Sequence, residues 1–110
     1  MRKLMMLAVL ACLLLAGCRK PLPHEKAAYA GYWRAHEMVL LITVGGDVQY
    51  TVKEDGKRNS INGPLQQFEG DNFVVGMGPL KTTFVVTAPP HQREGAWHMT
   101  VNGVDLTRDQ

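Results

Sequence analysis

The chain has 110 residues, with 12 Lys and Arg against 10 Asp and Glu for a formal net charge of +2. A chain this short holds one domain, and so even a balance of charge excludes the basic footprint of a nucleic-acid binder. Only Cys12 and Cys18 are present, which excludes a scaffold stapled by several disulfides.

The chain opens with the basic Met1-Arg2-Lys3 and then runs 13 residues, Leu4 to Ala16, without a charged side chain. A charged start followed by a short apolar stretch is the pattern of an export signal. At 1.5 Å per helical residue the run reaches only about 20 Å, short of a hydrocarbon core of about 30 Å. It is therefore not expected to span a membrane.

The apolar run ends in Leu15-Ala16-Gly17-Cys18. These four residues resemble the lipobox of bacterial lipoproteins, in which a leucine and two small residues precede an obligatory cysteine. The resemblance implies cleavage before Cys18 and acyl chains on its thiol, so residues 1–17 are expected to be a signal peptide. It also implies firm attachment, because the family's mature cysteine carries two or three chains and a single chain holds only marginally. Arg19 stands where the family's inner-membrane retention signal has an aspartate, which points to the periplasmic face of the outer membrane.

Processing at that site changes the arithmetic. Cys12 is discarded and Cys18 is consumed, so no disulfide is expected in the mature chain. Removing Arg2 and Lys3 leaves ten basic against ten acidic residues. Arg19, Lys20 and Lys26 sit beside the anchor, whereas from Gly31 onward seven basic face nine acidic residues. With Pro21 and Pro23 and no strand alternation, residues 18–29 read as a flexible tether of roughly 33 Å when ten of them are extended. Only Glu25 to Ala35 could hold a helical turn or two, and residues 30–110 form the domain.

From Met38 the dominant period is two. Met38, Leu40, Ile42 and Val44 share one face, and Val48, Tyr50 and Val52 alternate with polar neighbours, the mark of half-buried strands. Gly45-Gly46-Asp47 reads as a three-residue loop that sets Val44 opposite Val48, Ile42 opposite Tyr50 and Leu40 opposite Val52. Asp55-Gly56 reads as a two-residue turn pairing Glu54 with Lys57 and Tyr50 with Ile61. Phe73, Val75 and Met77, then Thr82, Phe84 and Val86, alternate again. Gly76-Met77-Gly78-Pro79 is a kinked strand or turn, since no third glycine and no Lys-Ser/Thr pair follow to make a phosphate loop. Pro89-Pro90-His91 through Gly95 is expected to be irregular.

Asn102-Gly103 is the strongest turn signal. Its type I′ preference sets Val101 opposite Val104, Met99 opposite Leu106 and Trp97 opposite Arg108, with His98, Thr100, Asp105 and Thr107 on the other face. The expected fold is therefore all-β, a small antiparallel meander of six to eight strands closed as a barrel or folded as a sandwich.

Gly31-Tyr32-Trp33 at the domain start and Arg108 near its end resemble the calycin pattern of lipocalins and their relatives. There a Gly-x-Trp on the first strand closes a barrel and an arginine of the last strand packs over the tryptophan. The likeness implies that Trp33 and Arg108 touch. In size and export the nearest resemblance is to small calycin-like proteinase inhibitors of bacteria, whose disulfide this chain lacks.

Catalytic chemistry finds little footing. No cysteine follows Cys18, Ser60 is the only serine, and there is no Gly-x-Ser-x-Gly elbow. His91 and His98, with Asp71 or Glu94, have no recognised metal spacing, so neither a metal nor a cofactor is expected. Val39 and Leu41 lie opposite the core positions of their strand, either buried under other chain or exposed as a patch for a partner. The reading that follows is a non-enzymatic, lipid-anchored envelope lipoprotein that binds another envelope protein; a carrier of a small apolar ligand and a protease or hydrolase inhibitor are the alternatives.

Overall fold

The computed structural model describes residues 20–109. It consists of a 3₁₀ helix, His24–Tyr29, and nine strands: β1 Gly31–Arg34, β2 Met38–Ile42, β3 Asp47–Glu54, β4 Lys57–Glu69, β5 Asn72–Met77, β6 Leu80–Phe84, β7 Val86–Arg93, β8 Ala96–Val101 and β9 Val104–Arg108. All pairings are antiparallel. They build one curled sheet in the order β6-β5-β4-β3-β2-β1-β9-β8-β7, an all-β meander in which the first strand sits between the second and the last.

The local turn chemistry accounts for most of the register. Asp55 and Gly56 have φ of 51° and 77°, Asn102 and Gly103 of 50° and 80°, the positive pair that a type I′ turn requires. Accordingly Glu54 faces Lys57 and Tyr50 faces Ile61, while Val101 faces Val104 and Met99 faces Leu106.

The structure departs from several expectations. The first concerns the β2–β3 loop, which spans residues 43–46, so Ile42 faces Val48, Leu40 faces Tyr50 and Met38 faces Val52. Thr43 closes it: its N–H donates to the Asp47 carbonyl and its hydroxyl accepts from the Asp47 N–H, each at 2.9 Å. A shift of two residues preserves every face, but it expels Val44 from the core row. Met77, also expected inward, is exposed beside the Gly78-Pro79 turn.

The second concerns Pro89 to Gly95. β7 continues through both prolines to Arg93, and Glu94-Gly95 makes another turn with φ of 53° and 79°. Proline removes a ladder donor, which only an edge strand or a bulge tolerates. β7 is an edge strand, and its pairing with β8 slips between Ala88 and His91.

The strand count is the third. There are nine segments rather than six to eight, because the proline stretch is a strand and because Val85 alone separates β6 from β7. These two consecutive strands form opposite edges of the sheet. Asparagine side chains bind the chain where it crosses. Asn102 Oδ1 accepts from the Val85 N–H at 2.9 Å, the Asn102 N–H donates to the Val85 carbonyl at 2.8 Å, and Asn72 Oδ1 accepts from the Val86 N–H at 2.8 Å.

The last concerns the tether. Of residues 18–29, the described ones meet the domain from Lys20, which lies against Gly46, and Leu22 donates to the Val44 carbonyl at 3.0 Å and packs on the core. Tyr29 is buried, and its hydroxyl donates to the Asp71 carbonyl at 2.8 Å. Lys26 reaches the Gly70 carbonyl at 2.9 Å and lies over the rings of Tyr29 and Phe68.

The inward rows fill the interior. Phe73 and Phe84 stack with centroids 4.9 Å apart, Tyr50 meets Phe84 edge-on at 4.9 Å, and Tyr29 meets Phe68 and Phe73. Trp33, Leu40, Ile42, Val48, Met99, Val101 and Leu106 complete the same cluster. Each such side chain contributes roughly 1.5–3 kcal/mol by leaving water. No polar or charged residue is buried among the described residues.

Candidate functional site

Arg108 is the first feature that topology assembles. Because β1 pairs with β9, Trp33 stands directly opposite Arg108, and because β9 also pairs with β8, Trp97 flanks it from the other side. The Arg108 guanidinium carbon lies 5.8 Å from the Trp33 ring centroid and 4.9 Å from that of Trp97. Trp33 is wholly buried, and its indole N–H donates to the Tyr29 carbonyl at 2.9 Å. Gly31, with φ of 147°, lets the arginine stem pass: a Cβ there would stand 2.5 Å from Arg108 Cδ. A cation between two aromatic faces fixes the chain ends to each other. The arrangement is a clamp rather than a reactive group.

A second group lies on the outer face of β7, β8 and β9. Arg93 donates to Asp105 at 2.9 Å, and His98 Nδ1 stands 3.4 Å from the other Asp105 oxygen. Burial pushes the Asp105 carboxyl up, but the Arg93 hydrogen bond and the charges of Arg93 and His98 outweigh it and hold the carboxyl below its ordinary value. His91 and His98 face each other with ring centroids 6.1 Å apart. Asp71 pairs with Lys26 instead, and Glu94 occupies the β7–β8 turn. Among the described residues no three His, Cys, Asp or Glu side chains are grouped to hold a metal ion.

Val39 and Leu41 sit on the outer face, half-buried. Leu41 lies between Tyr32 and Gln49, and Val39 between Arg34 and Thr51. Tyr32 is 39 % exposed, with Arg34 across its ring at 5.8 Å. Beside them an open hollow of about 350 Å³ is lined by Tyr32, His36, Glu37, Val39, Lys53 and Arg58, among others. An apolar floor with charged walls is suited to a protein surface.

Cys18 and the signal-like residues 1–17 lie outside the described residues. Sequence reasoning missed the seam asparagines, Asn72 and Asn102, and the part of Trp97 in the clamp. The register it set for the Asn102-Gly103 hairpin already placed Trp97 opposite Arg108, which was the signal for the latter. No protein-family model, no curated protein and no solved structure matches the chain.

Proposed function

We propose that this chain is a membrane-anchored envelope lipoprotein whose β-domain is a non-enzymatic module that binds another envelope protein. The observation that carries the anchor is Leu15-Ala16-Gly17-Cys18 behind a basic start and a short apolar run. Attachment is to the periplasmic face of the outer membrane, on the strength of Arg19 after the cysteine.

The binding role rests on the domain. Its interior is occupied by Trp33, Phe73, Phe84 and their neighbours, which favours a surface that binds over a barrel that carries an apolar ligand. Leu22 to Tyr29 pack against the sheet, which disfavours an inhibitor that projects its N-terminal segment into a protease. The clamp of Arg108 on Trp33, joining first and last strands, supports the calycin likeness of the scaffold. Tyr32, Val39 and Leu41 supply the partner surface.

Metabolic labelling with a radioactive fatty acid tests the anchor. The wild type is expected to be labelled and Cys18→Ala not; equal labelling of both refutes it, and density-gradient fractionation reads the membrane. For the partner, crosslinking in intact envelopes is expected to trap a protein with the wild type and to lose it with Leu41→Lys at unchanged thermal stability. Identical crosslinks from Leu41→Lys reject that surface.

A further inference from the structure

Three apolar side chains stand exposed near Lys20 and Leu22: Val44, whose carbonyl Leu22 binds, and the facing pair Met77 and Leu80, of which Met77 shares a hollow with Lys20. Val44 is 69 % exposed, Met77 70 % and Leu80 82 %, well above Tyr32 at 39 % and Val85 at 46 %. Met77 and Leu80 face each other across the Gly78-Pro79 turn and continue the inward rows of Phe73-Val75 and Phe84-Thr82 beyond the core. Exposed apolar groups gathered in one place mark a contact surface.

Their position relative to the N-terminus is what gives them meaning. Leu22 hydrogen-bonds the Val44 carbonyl at 3.0 Å, and Lys20 lies against Gly46 of the same loop. Lys20, Gly76, Met77 and Gly78 line one open hollow over Pro64 to Gln67. Met77 also shares a hollow with Thr43, the neighbour of Val44. Cys18 precedes Lys20 by two residues in sequence, and two residues of chain reach at most about 7 Å. The packing of Leu22 to Tyr29 removes the slack that a free tether of residues 18–29 would have had.

We propose, resting on the lipid-anchor reading, that Val44, Met77 and Leu80 insert into the interfacial layer of the membrane and dock this side of the domain on the phospholipid surface. The acyl chains on Cys18 bring the patch to the bilayer, so insertion is intramolecular and a weak apolar contact suffices. Lys20 and Lys81 stand beside the patch and Asp47 lines the Met77 hollow, so basic side chains lead at the edge that meets anionic headgroups. The domain is thereby oriented, and its outer face with Tyr32, Val39 and Leu41 takes a defined angle to the membrane.

The test uses the mature chain purified from cells and reconstituted in vesicles of phosphatidylethanolamine and phosphatidylglycerol, with acylation of Cys18 read by mass spectrometry on the same sample. Lipidation consumes the Cys18 thiol, so Leu80→Cys supplies a single site for an environment-sensitive fluorophore. Asp55→Cys, on the turn at the far end of β3, is the reference. The Leu80 label is expected to be blue-shifted and quenched several-fold more than the Asp55 label by lipids carrying a quencher on the acyl chain, and Met77→Asp is expected to abolish the difference. An acylated chain whose two labels are equally open to aqueous iodide overturns the docking and leaves the anchor standing. Shielding from iodide without quenching by lipid signifies contact with a second copy and also overturns it. A chain with no acyl group on Cys18 overturns both readings.

Discussion

Arg108 lies within reach of two aromatic faces, and removing it measures how the ends of the domain are held. Its guanidinium carbon is 4.9 Å from the Trp97 centroid and 5.8 Å from that of Trp33, both inside the ~6 Å range over which a ring quadrupole attracts a cation. The site is half-buried, so each ring contributes about 0.5–1 kcal/mol, with Trp97 at the upper end because it is closer. Arg108→Gln is therefore expected to lose about 1–2 kcal/mol, which for a domain of this size lowers the Tm by roughly 4–16 °C. Double-mutant cycles separate the two faces. Arg108→Gln is combined with Trp97→Leu, and separately with Trp33→Phe, which retains a ring and avoids the large cavity that a leucine would leave. Denaturant unfolding of the four corners of each cycle is expected to show coupling of about 0.5 kcal/mol or more for Trp97 and less for Trp33. Arg108→Lys keeps the charge but not the flat fork, and is expected to retain at most half of that coupling. Additivity within about 0.3 kcal/mol in both cycles would mean that Arg108 is a solvated terminal residue, and the clamp would fall.

Three further outcomes follow from the turns and the buried phenols. Asn102→Gly keeps the positive φ but removes the acceptor for the Val85 N–H, so it is expected to cost about 0.5–1.5 kcal/mol and to speed hydrogen exchange at Val85; unchanged protection there would mean that the side chain does not hold the seam. Gly103→Val must place a β-branched residue at φ of 80° and is expected to lower the Tm more than Gly103→Asn, equal values refuting the turn. Burial, aided by the charge of Asp71, pushes the Tyr29 hydroxyl from 10.0 up to about 12. A raised folded-state value favours the neutral phenol in the native state, so this stability is complete below pH 10 and is lost as pH rises from about 10 to 12. Urea midpoints measured between those values are expected to fall less steeply in Tyr29→Phe, and only in part because burial raises Tyr50 in the same direction. Equal slopes in the two proteins would show that Tyr29 ionises as freely in the fold as outside it.

What the amino-acid order determined by itself was local. Asp55-Gly56 and Asn102-Gly103 specify their turns through the φ values that only such pairs adopt cheaply, and each turn then dictates the register of its two strands. Alternation assigned Leu40, Ile42, Val48, Tyr50, Phe73, Val75, Met99 and Leu106 to one face, and all of them are buried. Period two identifies a face, however, and not the neighbour that covers it. That β1 lies beside β9 was suggested by Gly31, Trp33 and Arg108 only through a family likeness; in the molecule it is decided by the curl of the sheet. Whether Pro89 and Pro90 break a strand depends on whether that strand has partners on both sides, and β7 has one. The β2–β3 loop shows the same dependence. Gly45-Gly46 suits a loop of three or four residues, and the choice is made by distant groups: Leu22 donates to the Val44 carbonyl and Leu65 to that of Gly46. A buried backbone carbonyl must find a donor wherever the chain offers one, and which donor arrives is a property of the whole fold.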